Sequence, residues 1–185
     1  MEQFDIAICG YGPVGSTFAG LMGKLGHRIL VIEKNIGPSP TARAINTDGE
    51  QLRTFDRLGI AEKVVENSAE IKCVHFGDAN LNPIQTIDQP VGVSAMGWPN
   101  QVLFYQPELE GFIRASVESE NNILIKEGTE LLSFEDTSEG VYLNCKNSDG
   151  DLRFFSKYLI GCDGASSFVR RELDVDLEDF EYNQE

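Results

Sequence analysis

The chain has 185 residues, 41% of them hydrophobic, and carries a formal net charge of −15. That length supports one domain with a core of its own, or one and a half, and so acidic a chain without a basic stripe argues against a nucleic-acid binder. No apolar run approaches the length of a membrane span, and the acidity itself reads as a solvated surface.

In chain order, Phe4 to Cys9 is a short apolar run of the kind found in buried parallel strands. Gly10, Gly12 and Gly15 follow at once in the spacing G-x-G-x-x-G. Next comes a helical pattern that would place Val14, Phe18, Leu21, Met22 and Leu25 on one face. A second apolar strand, Ile29 to Ile32, ends on the acid Glu33. Each part has a physical job in binding a dinucleotide. Gly10 permits the tight turn, Gly12 lets a pyrophosphate approach the backbone, and Gly15 lets the helix pack closely. The helix N-terminus offers unpaired N–H groups and partial positive charge to the phosphates. Glu33 falls close to the roughly 20-residue spacing of an acid that binds ribose hydroxyls. Its charge favours an unphosphorylated ribose, as in NAD or FAD, and the fingerprint does not separate the two. A glycine turn built for packing alone is the plainer alternative.

The stretch NIGPSPTARA after Glu33 and Lys34 reads as a loop. Arg43 within it is either a solvated surface group or, following the ribose-binding position, one that reaches a pyrophosphate. Thr47 to Leu58 reads as a helix with Leu52, Phe55 and Leu58 inward and Gly59 as its C′ residue. Ala61 to Glu66 is a further short helix. Ile71 to Phe76 and Ile84 to Ile87 read as strands around the turn-rich GDANLNP, and PVGVSAMGWPN is a loop. Val102 to Tyr105 is a short strand. Pro107 suits the first turn of a helix whose inner face is Leu109, Phe112, Ile113, Ser116 and Val117. Strands follow at Ile123–Ile125, Glu130–Asp136, Val141–Lys146 and Leu152–Ile160, with NSDG at 147–150 as a hairpin turn. The last three form an antiparallel meander. The final strand runs into Asp163-Gly164, a sharp turn after which Ser166 or Ser167 can cap a helix.

The four cysteines include no C-x-x-C pair, and Cys9 and Cys162 are most simply small core residues. The first strand begins almost at Met1, which leaves no visible secretory leader. A reduced, cytoplasmic setting is therefore expected. The two histidines, His27 and His75, have no ligand-like spacing, so no metal site is expected.

Four pieces of this sequence together resemble the class A flavoprotein monooxygenases, the FAD-dependent aromatic hydroxylases. They are GYGPVG with Glu33, TARAINTDGEQLRTFDRLGI, LFYQPELEGFIR with Gln106, and YLIGCDGASSFVRREL with Asp163-Gly164. Within that family, FYQPELE and GCDGASSFVRREL look most like the 3-(3-hydroxyphenyl)propionate hydroxylase branch. The resemblance implies an α/β fold: a Rossmann-like (GR2-type) FAD-binding domain with a parallel sheet, an antiparallel β-meander and part of a substrate-domain sheet. It implies that residues 1–70 and 101–175 form the FAD-binding domain, that 71–100 belong to a partial substrate-domain insertion, and that 176–185 begin a further substrate domain. The family's downstream Gly-Asp motif and large substrate sheet are not among these residues. The sequence thus resembles the N-terminal part of such an enzyme.

For a complete enzyme the resemblance implies that NADH or NADPH reduces FAD, and that one atom of O₂ is placed on a phenolic ring beside its hydroxyl. Here it implies cofactor contacts only: Gly10, Gly12, Pro13, Val14 and Gly15 at the pyrophosphate, Glu33 and Lys34 at the adenosine ribose, Arg43 and Gln106 toward the phosphates and flavin, and Asp163 orienting FAD. The match supplies no catalytic acid or base. The 185 residues alone are expected to be inactive, with an apolar strand face exposed that invites a homodimer or a complementing C-terminal part. A non-catalytic FAD- or nucleotide-binding module stays open as an alternative. An NAD-dependent dehydrogenase domain is a weaker one, against which Gln106 and Asp163-Gly164 argue.

Overall fold

The computed structural model describes residues 2–38, 42–178 and 180. Residues 39–41 of the loop after Glu33 lie outside the described residues, as do residues 179 and 181–185 of the expected start of a further domain. The chain divides into two compact units. One comprises Met1–Gly15, His27–Ile36 and Asn122–Glu185, the other Ser16–Gly26 and Gly37–Asn121.

The first unit is a six-stranded sheet. Its strands are β1 (Gln3–Cys9), β2 (Ile29–Glu33), β8 (Ile123–Glu127), β9 (Glu130–Thr137), β10 (Gly140–Asn147) and β11 (Gly150–Gly161). Their order is β8-β2-β1-β11-β10-β9. The first four are parallel neighbours, and β11, β10 and β9 pair antiparallel as the expected meander. Apolar runs become central strands because both faces are covered. In β1, Ala7 and Ile8 point to opposite faces and both are fully buried. Phe4, Ala7, Cys9, Leu30, Ile32, Leu143, Cys145 and Phe154 pack together in one core cluster. Phe4 and Phe154 meet edge to face at 6.2 Å. Helix α5 (Phe168–Glu172) adds Val169 to this core.

The second unit holds α2 (Gly49–Leu58), α3 (Ala61–Glu66) and α4 (Gln106–Glu118). Three short strands, β3 (Asn46–Asp48), β7 (Gln101–Leu103) and β4 (Ala69–Glu70), form one sheet in the order β3-β7-β4. A separate hairpin pairs β5 (Cys73–Gly77) with β6 (Pro83–Asp88). Asp48 caps α2 by accepting from the Gln51 N–H at 2.8 Å, so the helix begins after the strand and not at Thr47 as the sequence pattern suggested. Gly59 ends it at φ +77°, as expected.

Helix α1 (Pro13–Lys24) corrects a second expectation. Its buried face is Gly15, Ser16, Ala19, Gly20 and Gly23, while Val14 is 71% and Leu25 68% exposed. Small residues turn inward because the backbone approaches its neighbours closely. Within the second unit a Cβ on Gly20 would lie 2.8 Å from Leu58 Cδ2 and 3.3 Å from Val117 Cγ2. Phe18, Leu21 and Met22 are only half-buried. Among the described residues, no helix is long and apolar enough to cross a membrane.

Two predictions follow from this packing. Gly20→Val should lower stability by about 1–3 kcal/mol in urea unfolding, through overpacking against Leu58 and Val117. Burial pushes the Cys9 and Cys145 thiols up to about 12 from an ordinary 9.0, with the Asp163 charge adding to the shift at Cys9. The folded state therefore holds these protons more tightly than the unfolded chain. Their contribution to stability is complete below pH 9.0 and is lost as pH rises toward about 12. Tm should drop between about pH 8 and about pH 10.5, and less so in the Cys9→Ala/Cys145→Ala double variant.

Candidate functional site

Parallel pairing brings three separate pieces of sequence to one edge of the first unit. Cys9 on β1 lies opposite both Ile32 on β2 and Gly161 on β11. Gly10, Glu33 and Asp163 consequently emerge together at the carboxyl ends of three adjacent parallel strands, where open α/β sheets bind ligands. Two hydrogen bonds extend the ladder past the strand ends. Gly10 N–H donates to Ile32 O at 2.8 Å and Cys162 N–H to Cys9 O at 2.7 Å.

The three glycines of the fingerprint do different work. Gly10 sits at φ +105°, and a Cβ there would collide with the Cys162 carbonyl. A Cβ on Gly15 would collide with the Gly10 carbonyl and lie 3.2 Å from Cys162 Cβ. Gly12 is the opposite case, for a Cβ there would meet nothing within 4 Å. Gly10 and Gly15 are small because protein fills the space beside them. Gly12 is small beside open space, at the head of a 12-residue helix whose N-terminus favours anions.

Glu33 is fixed from two sides. Its Oε2 accepts from the Tyr11 N–H at 2.9 Å, which ties the glycine loop to the end of β2. Its Oε1 accepts from the Asn35 N–H at 2.8 Å and Asn35 Nδ2 at 2.9 Å. One lone pair of Oε2 remains for a hydroxyl donor. Lys34 beside it is exposed.

Asp163 is turned toward the helix that follows. Its Oδ2 accepts from the Phe168 and Val169 N–H groups at 2.6 and 3.1 Å, and its Oδ1 from Ser167 Oγ at 2.5 Å. Ser167, rather than Ser166, is the cap residue, accepting from the Arg170 N–H at 3.0 Å. Asp163 thus locks the strand-to-helix turn, with Gly164 at φ +83° supplying the bend.

In the second unit, Gln106 is 6% exposed and opens α4. Its Oε1 accepts from the N–H groups of Arg43 at 2.5 Å and Ala44 at 2.8 Å. Its Nε2 donates to Glu110 Oε1 at 2.7 Å. Glu110 is only 2% exposed and stood outside the predicted site. The Arg43 backbone is thereby held while its residue stays exposed. The same unit has a polar-lined cavity of about 460 Å³ beside Thr47, Asp48, Gln51, Thr54 and Gln101, none of them predicted as site residues. Among the described residues, no group of three or more His, Cys, Asp or Glu side chains is placed to hold a metal ion.

The first unit's residues fit a dinucleotide. The open space beside Gly12 would admit a diphosphate, the α1 N-terminus would complement its charge, and Glu33, held by Tyr11 and Asn35, would accept from a ribose hydroxyl.

Residues 3–185 match the family described as "FAD binding domain". A 3-(3-hydroxy-phenyl)propionate/3-hydroxycinnamic acid hydroxylase of Escherichia coli is 32% identical over 178 residues, which cover 96% of this chain and 32% of that protein. Its counterpart in Mycolicibacterium smegmatis is 28% identical over 174 residues, covering 94% of this chain and 31% of that protein. The chain therefore spans about a third of the length of these curated relatives. Among solved structures, p-nitrophenol 4-monooxygenase from Pseudomonas putida superposes with a TM-score of 0.87 at 24% identity, over 94% of this chain and 44% of that one. That likeness shows the fold. Aklavinone-11 hydroxylase, solved with FAD and aklavinone, gives a TM-score of 0.79 at 25% identity, over 92% of this chain and 35% of that one.

Gln106→Leu should leave the Arg43 and Ala44 N–H groups without their acceptor. We expect a loss of about 1–3 kcal/mol in urea unfolding and faster tryptic cleavage after Arg43. Gln106→Glu keeps the acceptor and should be milder on both counts.

Proposed function

The chain belongs to the FAD-binding domain family, and from that premise we propose that it is the cofactor-binding part of a flavin-dependent monooxygenase that hydroxylates a phenolic ring with NAD(P)H and O₂. The observation that carries this reading is Gly12, facing open space between the strand end and the α1 N-terminus, with Glu33 fixed beside the same loop.

Each residue has a proposed task. Gly10 and Gly15 hold the loop in shape, and Gly12 admits the diphosphate. Pro13 and Val14 begin the helix whose N-terminus balances its charge. Glu33 accepts from the adenosine ribose, with the exposed Lys34 beside it. Asp163 fixes the turn beyond β11, and so orients the backbone that faces FAD. In the second unit, the Arg43 guanidinium offers a planar fork to phosphate oxygens. Gln106 sets that loop's backbone and lies on the flavin side. When bound, the flavin supplies the redox and oxygen chemistry; the chain binds it, orients it and shields it from water.

The substrate side is proposed to begin within 71–100. Support comes from the exposed apolar residues Phe76, Ile84 and Ile87 on the β5–β6 hairpin, a two-stranded piece that a larger sheet would complete. A complementing C-terminal part or a second copy would cover it, and a chain lacking that cover is proposed to bind cofactor without turning over. The free thiols of Cys9, Cys73, Cys145 and Cys162 support a cytoplasmic setting.

The test is a titration of the purified chain with FAD, followed by flavin fluorescence and by Tm. FAD should bind and raise Tm. Gly12→Val should abolish that rise while leaving the Tm of the cofactor-free protein unchanged, since its Cβ meets nothing within 4 Å. Binding of NADH without FAD, or equal FAD affinity in the variant, would overturn the assignment.

A further inference from the structure

The β5–β6 hairpin carries a side-chain constellation that cofactor binding does not use. Cys73 and His75 are two residues apart on β5 and so share a face. Cys73 Sγ lies 3.2 Å from His75 Nε2. Thr86 pairs with His75 across the hairpin, and its Oγ1 lies 2.9 Å from His75 Nδ1. The imidazole therefore lies between the Thr86 hydroxyl and the Cys73 thiol, each within hydrogen-bonding distance of one ring nitrogen. With Nδ1–H donating to Oγ1, Nε2 presents its lone pair to the thiol. Once the proton has moved, the imidazolium donates from both nitrogens, to Oγ1 and to the thiolate, with no rearrangement of the three side chains. Nucleophile, base and orienting group are the elements of an activated cysteine.

The other cysteines lack this setting. Cys9 and Cys145 are buried, and burial pushes both thiols up to about 12. The half-buried Cys162 is also pushed up, by burial first and then by the Asp163 charge. Cys73 is half-buried on a hairpin whose His75 and Thr86 are exposed.

We propose that Cys73 is a thiol–disulfide exchange site for small disulfides, cationic ones foremost, with His75 as its base. The Cys73 proton passes to His75 Nε2, and the thiolate sulfur attacks one sulfur of the disulfide. The S–S bond of the reagent breaks, a Cys73–S–S–R bond forms, and the departing thiolate takes the proton from the imidazolium. Cys73 is oxidised and half of the disulfide is reduced to a thiol, so the step balances without a further reactant. Preference for a cationic partner follows from charge. Asp88 pairs with Cys73 across the hairpin, Asp78 lies at its turn, Lys72 is the flanking cation, and the chain carries −15 overall.

The experiment treats the folded chain with cystamine and follows intact mass and peptide maps over time. The first adduct should fall on Cys73, and it should form more slowly with an anionic alkyl disulfide, 3,3′-dithiodipropionate, whose leaving thiolate is also an alkyl one. His75→Gln should slow it on the order of tenfold, and Thr86→Val should slow it less. A first adduct on Cys162, or an unchanged rate in a His75→Gln variant with a native circular dichroism spectrum, would overturn the proposal. Should that variant fail to fold, the order in which the four cysteines of the unaltered protein react decides the matter.

Discussion

Everything the first unit offers a ligand depends on the register in which β1 pairs with β2 and β11. Cys9 is level with Ile32 on one side and Gly161 on the other. The next residues of each strand therefore leave the sheet at the same height. Gly10 N–H reaches back to Ile32 O and Cys162 N–H to Cys9 O. Side chains alternate between faces along a strand, so a slip by one residue would exchange the buried Ala7 and Cys9 with Ile8 across the sheet. The core that sets this register also sets the height at which Gly10, Glu33 and Asp163 leave the sheet.

Close approach is the second constraint, and it explains why small residues collect where they do. The loop after β1 runs against the Cys162 backbone, which leaves no room for a Cβ at Gly10, and the Gly10 carbonyl leaves none at Gly15. The same logic continues down α1 through Ala19, Gly20 and Gly23. Polar pins then take over where apolar contact ends. Glu33 holds Tyr11 N–H, and Asp163 holds the first N–H groups of α5. In the second unit Gln106 holds the backbone of the Arg43 loop. Each pin is a charged or amide acceptor serving backbone donors, so each fixes chain direction as much as it adds stability.

The parts legible in sequence were those governed by local chemistry. Glycine spacing, the apolar strands, the Gly59 stop, Pro107 in the first turn and the NSDG hairpin each act over a few residues, and each stands where the pattern placed it. The inner face of α1 was misjudged because periodicity counts large apolar residues, whereas close packing selects small ones. Val14 and Leu25 lie outside as a result. The start of α2 was set too early because Asn46–Asp48 is claimed by pairing with β7, a partner more than fifty positions away. Glu110 went unnoticed for a similar reason. An acid on a helix reads as solvated, and only the i, i+4 relation to Gln106 marks it as the buried partner of an amide.

Gln106 and Asp163 show how a residue that resembles a ligand can first be a structural clamp. Both carbonyl-side contacts of the Gln106 amide go to backbone N–H groups, and its NH₂ goes to Glu110. Both Asp163 oxygens are engaged by Ser167 and α5. In the proposed role neither would have to release its hydrogen bonds to serve a cofactor, because what each fixes is the conformation of a loop. For Gln106 that loop carries Arg43, whose guanidinium stays available while its own N–H is held. Binding then loses less conformational entropy, since the backbone that presents the charge is already ordered before any ligand arrives. The division of labour accounts for buried polar side chains beside an exposed arginine. The buried groups specify geometry, and in the proposed role the exposed one would supply the charge.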